Sequence, residues 1–275
     1  MATMTDGATF DPVADEVLAL LGSSRQVEPF TARHGEFGLE RAYRVAAQLR
    51  QAREDRGERA IGRKIGFTNR TIWAEYGVAA PIWGHVYDGT VLDLDDCTQG
   101  VPLAGLPEPR IEPEIAFGLS APPAADMTDA ELLGCIHWVA HGFEIVQSIF
   151  PGWKFAAADT VAAGGLHAAL LLGPRQPVAG READWLRDLP RFDIALSCNG
   201  KQVDRGHAGN VLGGPLSALA HLAGVLEADP EQPPLVAGEI VTTGTLTRAM
   251  PVAGGQTWRT ELTGIDLDGI AVEFA

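Results

Sequence analysis

Apolar positions recur at helical spacing near the N-terminus and at strand spacing towards the C-terminus. Asp11-Pro12 reads as an N-cap followed by proline at the first helical position, and Gly22 closes that short helix. Leu39, Ala42, Tyr43, Ala46 and Leu49 then share one face of a helix expected over 39–54, with Gly57 as its stop. The opposite face carries Arg41, Arg44, Arg50 and Arg53 and reads as solvated. A strand carrying Lys64 is expected over 60–67, a short helix over 69–76 ending at Gly77, and irregular chain over 81–91.

Residues 128–148 read as one helix. Thr128 and Glu131 form a capping box, and Leu132, Ile136, Val139 and Phe143 follow. A loop of small residues over 151–165 is expected above the site, then an apolar strand over 168–172. Strands follow at 192–198 and 201–203, joined by the hairpin signal Asn199-Gly200. A helix over 215–226 precedes strands at 239–243, 257–263 and 270–274. Helices first and strands later predict an α+β fold.

With 275 residues the chain is one large domain, or one domain with a small extension. Its 46% hydrophobic content suits a substantial core. The formal charge of −15 argues against nucleic acid or an anionic membrane surface as partner. An anionic substrate must therefore be drawn in by a local positive site. Cys97, Cys135 and Cys198 are scattered, without a C-x-x-C pair, and read as reduced thiols of a cytoplasmic protein. No basic start marks a secretory signal, and no apolar run approaches the roughly 18 residues of a membrane span. Neither a Rossmann nor a Walker glycine pattern is present.

Candidate chemistry concentrates in Arg110-Ile-Glu112-Pro-Glu114-Ile-Ala-Phe117. If this stretch is extended, a period of two puts Glu112 and Glu114 on one face and Ile111, Ile115 and Phe117 on the other. Paired carboxylates suit a hard divalent ion, or else a solvated strand edge where Pro113 is also at home. Glu144, flanked by Phe143, Ile145 and Val146, is a third carboxylate in an apolar setting. It stands at the wrong end of the expected helix for the dipole and therefore needs a partner.

Glu112-Pro-Glu114-Ile-Ala-Phe and Phe-Glu144-Ile-Val resemble the metal site of the fumarylacetoacetate hydrolase superfamily. Gly62-Arg-Lys64-Ile-Gly66-Phe-Thr68 is similar to G-x-K-I-G-x-T, and Val211-Leu-Gly-Gly-Pro-Leu to V-L-G-x-P-L, both of its 2-keto-4-pentenoate hydratase and 4-oxalocrotonate decarboxylase branch. The resemblance runs from about Arg33 to the C-terminus. It implies a mixed β-roll core with helices packed outside, divided into a helical N-terminal region (1–60) and a catalytic domain (61–275). It also implies a homo-oligomer, and Mg²⁺ or Mn²⁺ held by Glu112, Glu114 and Glu144. The ion would act as a Lewis acid on a small unsaturated 2-oxo acid from aromatic breakdown.

By the same resemblance Lys64 would hold the substrate carboxylate or move a proton, with its pKa lowered by burial and the metal; alternatively it is a lysine that pairs with an acid or snorkels to solvent. Lys154 and Thr245 would contact substrate, and His167 and His207 would lie near the site. His141, one turn from Glu144 on the expected helix, would be a supporting partner. Three departures stand out: Ile82 where the branch has an acid in P-D-x-G, Gln147 in E-I-x-D-S-R, and Ala163-Gly164 in A-D-N-x-S. The reaction expected is hydration. Decarboxylation of a 4-oxalocrotonate-like acid, C–C bond hydrolysis, or an inactive keto-acid-binding relative are the alternatives.

Overall fold

The computed structural model describes residues 10–70, 73–76 and 80–275. Two N-terminal helices, α1 (Pro12–Leu20) and the longer α3 (Leu39–Asp55), flank a single turn, α2 (Phe30–Arg33). Asp11 caps α1 by accepting from the Val13 amide and is tied to Arg41 of α3 at 2.8 Å. The arginine face of α3 is only partly solvated. Arg53 is buried, with its guanidinium 3.6 Å from the Tyr87 ring centroid.

Strand β1 (Ala60–Gly66) follows, then α4 (Trp73–Tyr76); the expected stop at Gly77 lies outside the described residues. The region expected to be irregular contains β2 (Ile82–Tyr87) and a short β3 (Val91–Asp93). Every residue of β2 is buried, so no in–out alternation marks it as a strand.

The larger correction concerns residues 128–148. The capping box is real, but its helix α5 (Asp129–Gly134) ends after one and a half turns, and the chain continues as β5 (Ile136–Val146). Apolar residues at 136, 139 and 143 imitate a helical stripe because this strand is buried on both faces over most of its length. β5 pairs antiparallel along its length with β4 (Arg110–Leu119), the strand bearing Glu112 and Glu114. The rest of the chain supplies α6 (Ala157–Ala162), β6 (His167–Leu172), β7 (Gln176–Pro177), α7 (Glu182–Asp188), β8 (Asp193–Cys198) and β9 (Lys201–His207). Then come α8 (Pro215–Glu227), β10 (Ile240–Thr242), β11 (Met250–Pro251), β12 (Thr257–Thr263) and β13 (Ala271–Glu273).

The main sheet runs β2-β1-β10-β4-β5-β6-β3, with β11 beside β4 and β7 beside β5. A second sheet runs β13-β12-β8-β9. The fold is α+β, a mixed-sheet half-barrel with helices packed outside. Its curl brings β2, near one edge, against the turn that leads into β6, near the other. A Cβ on Gly84 of β2 would lie 2.5 Å from the Gly164 carbonyl oxygen. Lys64 and Glu144, three strands apart in sheet order, meet across the inside of that curl.

Four apolar clusters among the described residues hold the arrangement, the smallest joining Val86, Ala116, Ala140, Leu170 and Leu172 of the main sheet. Ile115, Phe117 and Val139 join α5, α7 and α8 on one side of the sheet. Ile111, Phe143, Ile145 and Leu171 pack against Leu196, Trp258 and Phe274 between the two sheets. The N-terminal helices share a core with α6 and with Ile82 and Val146 of the main sheet. Each fully buried side chain of this size is worth about 1.5–3 kcal/mol. No helix among the described residues is long and apolar enough to cross a membrane.

Candidate active site

Glu112 and Glu144 are direct cross-strand partners on β4 and β5, and Glu114 lies two residues along β4 on the same face. Carboxylate oxygens of the three lie within 4.8 Å of one another. Glu144 and Glu114 are buried; Glu112 is half-buried and lines a cleft. The site is built on strand pairing, and the helix-dipole argument for Glu144 falls with the helix.

A lysine and a histidine answer the three acids. Lys64 Nζ, on β1, stands 3.1 Å from Glu144 Oε2 and donates to the Gly165 carbonyl at 3.0 Å. Gly165 presents that carbonyl from a left-handed conformation (φ 71°), and a Cβ there would come within 2.9 Å of the Lys64 side chain. On the opposite face of β1, the neighbouring Arg63 pairs with Glu239 at 3.0 Å. His167 Nδ1 is 2.8 Å from Glu144 Oε1.

Glu114 is treated differently. Its Oε2 accepts from the Gly244 amide at 2.8 Å, whereas its Oε1 is buried with no hydrogen-bond partner. Gly244 is required here, because its φ is 92° and a Cβ would fall 1.8 Å from Thr68 Oγ1. A buried polar atom left unpaired costs about 1–3 kcal/mol, and more when charged. An orphaned carboxylate oxygen beside two further carboxylates fits a hard, oxygen-seeking divalent cation.

The electrostatics follow from this crowding. Burial, then the neighbouring glutamates, push Glu114 well above the usual carboxylate range. Glu112 is raised to about 7, mainly by burial, with Lys64 pulling the other way. For Glu144 burial acts upwards too, but Lys64 and His167 outweigh it and hold the acid below its ordinary value. Lys64 was expected to be depressed. Burial does act in that direction, yet the three glutamates together raise it, so in the chain alone it is an ammonium.

The cleft has one polar end, with Lys64, Glu112 and Thr245, and an otherwise largely apolar wall that includes Phe67, Ile82, Val146, Trp153 and Leu166. Ile82, where an acid was expected by resemblance, is 4% exposed and packs into the cluster shared with α6. The expected loop above the site is ordered as a turn at Pro151–Trp153, α6, and a second turn at Gly164–Leu166. Trp153, Thr160, Gly165 and Leu166 bring it to the cleft.

The other candidates divide between the site and the surface. His167 lies behind Glu144 and does not line the cleft. Thr245 does line it, with its hydroxyl donating to the Thr247 carbonyl. Lys154 is exposed and outside the lining. His207 is exposed at the end of β9, its Nδ1 accepting from the Gly209 amide. His141 points away from Glu144, since three residues along a strand reverses the face. It contacts the Glu114 carbonyl and Thr260 Oγ1, and burial pushes it down to about 4. His207→Ala and Lys154→Ala are therefore expected to stay within about twofold of wild-type kcat/KM, as surface changes of under 0.5 kcal/mol do; steady-state kinetics checks this. Sequence reasoning missed Thr90, whose Oγ1 lies 2.9 Å from His167 Nε2, the Gly165 carbonyl that Lys64 meets, and Phe67 of the cleft lining, none of which carries a local signal.

The fumarylacetoacetate (FAA) hydrolase C-terminal family model matches residues 99–267. The chain is 31% identical over 263 residues to a 2-hydroxyhexa-2,4-dienoate hydratase of Comamonas testosteroni, covering 95% of this chain and 97% of that protein. It is 31% identical over 241 residues to a 4-oxalocrotonate decarboxylase of Pseudomonas putida, covering 84% of each. Among solved structures, the 4-oxalocrotonate decarboxylase from Pseudomonas putida G7 complexed with magnesium and adipate superimposes with a TM-score of 0.85, at 26% identity over 100% of both chains.

Proposed function

The chain belongs to the fumarylacetoacetate hydrolase family, and on that premise we propose that it is a divalent-metal-dependent carbon–oxygen lyase that hydrates a small unsaturated 2-oxo (2-hydroxydienoic) acid of aromatic catabolism. One observation carries the reading: three carboxylates converge, and one of them, Glu112, lines with the buried Lys64 a cleft whose other walls are largely apolar. Glu112, Glu114 and Glu144 would hold the ion, Mg²⁺ or Mn²⁺, and the orphaned Glu114 Oε1 supports this assignment. When bound, the ion supplies Lewis-acid polarisation of the substrate's 2-oxo group.

The remaining work falls to the chain's own groups. The Lys64 ammonium is placed to receive a substrate carboxylate or to pass a proton at Nζ. Phe67, Ile82, Val146 and Leu166 offer a hydrocarbon tail a dry surface.

The same wall favours hydration over decarboxylation. A 4-oxalocrotonate-like substrate carries a second carboxylate, which needs a second cation if it is to be buried. Among the described residues lining the cleft, Lys64 is the one cation, and it already pairs with Glu144. Residues 71–72 and 77–79 contain no Lys, Arg or His. With Mg²⁺, a 2-hydroxydienoic monoacid is expected to lose its ultraviolet absorbance, with kcat/KM at least about tenfold above that for the diacid, a difference of about 1.4 kcal/mol. EDTA should stop the reaction. Release of CO₂ from the diacid with the higher efficiency would overturn the assignment, and ligand binding without turnover would favour an inactive binding protein.

A further inference from the structure

Behind Glu144 two polar side chains, His167 and Thr90, form a line that lies outside the cleft lining. After β2 the chain makes a tight turn, Asp88–Thr90, that folds the Thr90 hydroxyl back onto Tyr87. Thr90 Oγ1 donates to the Tyr87 carbonyl at 2.8 Å and accepts from the Tyr87 amide at 3.3 Å. A threonine hydroxyl has one proton and can rotate, so it can serve either the Tyr87 carbonyl or a ring nitrogen. The third contact of Thr90 Oγ1 is His167 Nε2, at 2.9 Å. The other ring nitrogen, Nδ1, lies 2.8 Å from Glu144 Oε1, and because a carboxylate oxygen accepts, Nδ1 is the donor there.

That line does mechanical work. Rotating the imidazole would break both contacts at once, so the turn fixes the ring and the ring fixes the carboxylate. Lys64 holds the other oxygen of Glu144, so the acid is gripped at both ends while remaining beside Glu112 and Glu114. The outer anchor is itself braced, because the buried Arg53 of α3 lies over the Tyr87 ring. The side chains of His167 and Glu144 are 2% and 0% exposed, so water cannot substitute for a lost contact without a rearrangement.

We propose that Thr90 and His167 are positioning residues that set the orientation of Glu144 for metal binding. The proposal rests on the three glutamates being a metal site. Outer partners of this kind are typically worth about 10–100-fold in metal affinity.

Calorimetric titration of the full chain with Mn²⁺ tests it. Thr90→Val keeps the shape of threonine but removes the hydroxyl, and should weaken Mn²⁺ binding about tenfold or more. Thr90→Ser restores the hydroxyl and should bind within about twofold of wild type. His167→Asn retains a donor near the Nδ1 position and should fall less far than His167→Ala. A purely structural role would lower the melting temperature of Thr90→Val and leave its Mn²⁺ affinity unchanged, and that result overturns the proposal. If His167→Ala fails to fold, the Val/Ser pair at Thr90 decides the matter alone. A wild-type protein that binds no Mn²⁺ would remove the metal reading and this proposal together. Wild-type binding with an unaffected Thr90→Val would remove only the latter.

Discussion

Glu144→Gln and Glu112→Gln are each expected to bind Mn²⁺ at least about a hundredfold more weakly than wild type and to lose turnover accordingly. Hydrogen-bond partners of a metal ligand are worth about 10–100-fold on their own, so removing a charged oxygen donor from a set of three should exceed that range. The apo-protein should respond in the opposite sense. Burial, opposed in part by Lys64, raises Glu112 to about 7 from an ordinary 4.5, so the folded chain binds its proton more tightly than the unfolded chain. The stability that this carboxylate withdraws is absent below about pH 4.5, grows as pH rises, and is fully withdrawn above about 7. In EDTA, Glu112→Gln should therefore melt a few degrees above wild type at pH 8, and the gap should close near pH 5. Calorimetry with Mn²⁺ and melting curves at the two pH values test both halves. Wild-type Mn²⁺ affinity in both variants would remove the metal site. A stability gap independent of pH would remove the account of Glu112.

The parts of this fold that the sequence made legible are those set by local chemistry. Asn199-Gly200 gives a hairpin because both residues take left-handed angles, 49° and 76° in φ. The capping box at Thr128 and Glu131 starts a helix, and the Gly214-Pro215 boundary starts α8. What local chemistry did not show is where a helix stops when the following strand is buried on both faces. Residues 136–146 carry apolar side chains on both faces, so their period is unreadable and the stripe from α5 runs on into the strand. The same burial hid β2. Site residues divide similarly. Glu112 and Glu114 were legible as paired carboxylates on one face of an extended stretch, Lys64 through its motif resemblance, and Glu144 drew attention for a reason that the strand pairing replaces. Thr90 was invisible, since its part depends on the sheet curling until β2 meets β6. Lys154 and His207 were named by motif resemblance alone, and the fold leaves both in solvent.

Lys64→Met is expected to separate catalysis from metal binding. Methionine fills nearly the volume of lysine without its charge, so the shape of the cleft survives. With the ammonium gone, Glu144 loses the cation 3.1 Å from its Oε2, and burial then presses on an acid that only His167 still answers. Removing one partner of a buried ion pair typically destabilises by about 3–5 kcal/mol. The apo variant should thus melt well below wild type in EDTA. Saturating Mn²⁺ should restore most of the difference, because a divalent ion supplies the charge that Lys64 supplied. Its affinity should be equal to wild type or tighter, since a competing cation has been taken from the same carboxylates. Turnover should not recover. Losing a group that holds the substrate carboxylate or passes a proton costs about 10²–10⁴-fold, so kcat/KM should fall at least about a hundredfold even when Mn²⁺ is saturating and the melting temperature is restored. The decisive measurement is kinetics at saturating Mn²⁺ beside melting curves with and without the ion. A loss of kcat/KM below about tenfold under those conditions would leave Lys64 as a counter-charge to Glu144 and nothing more.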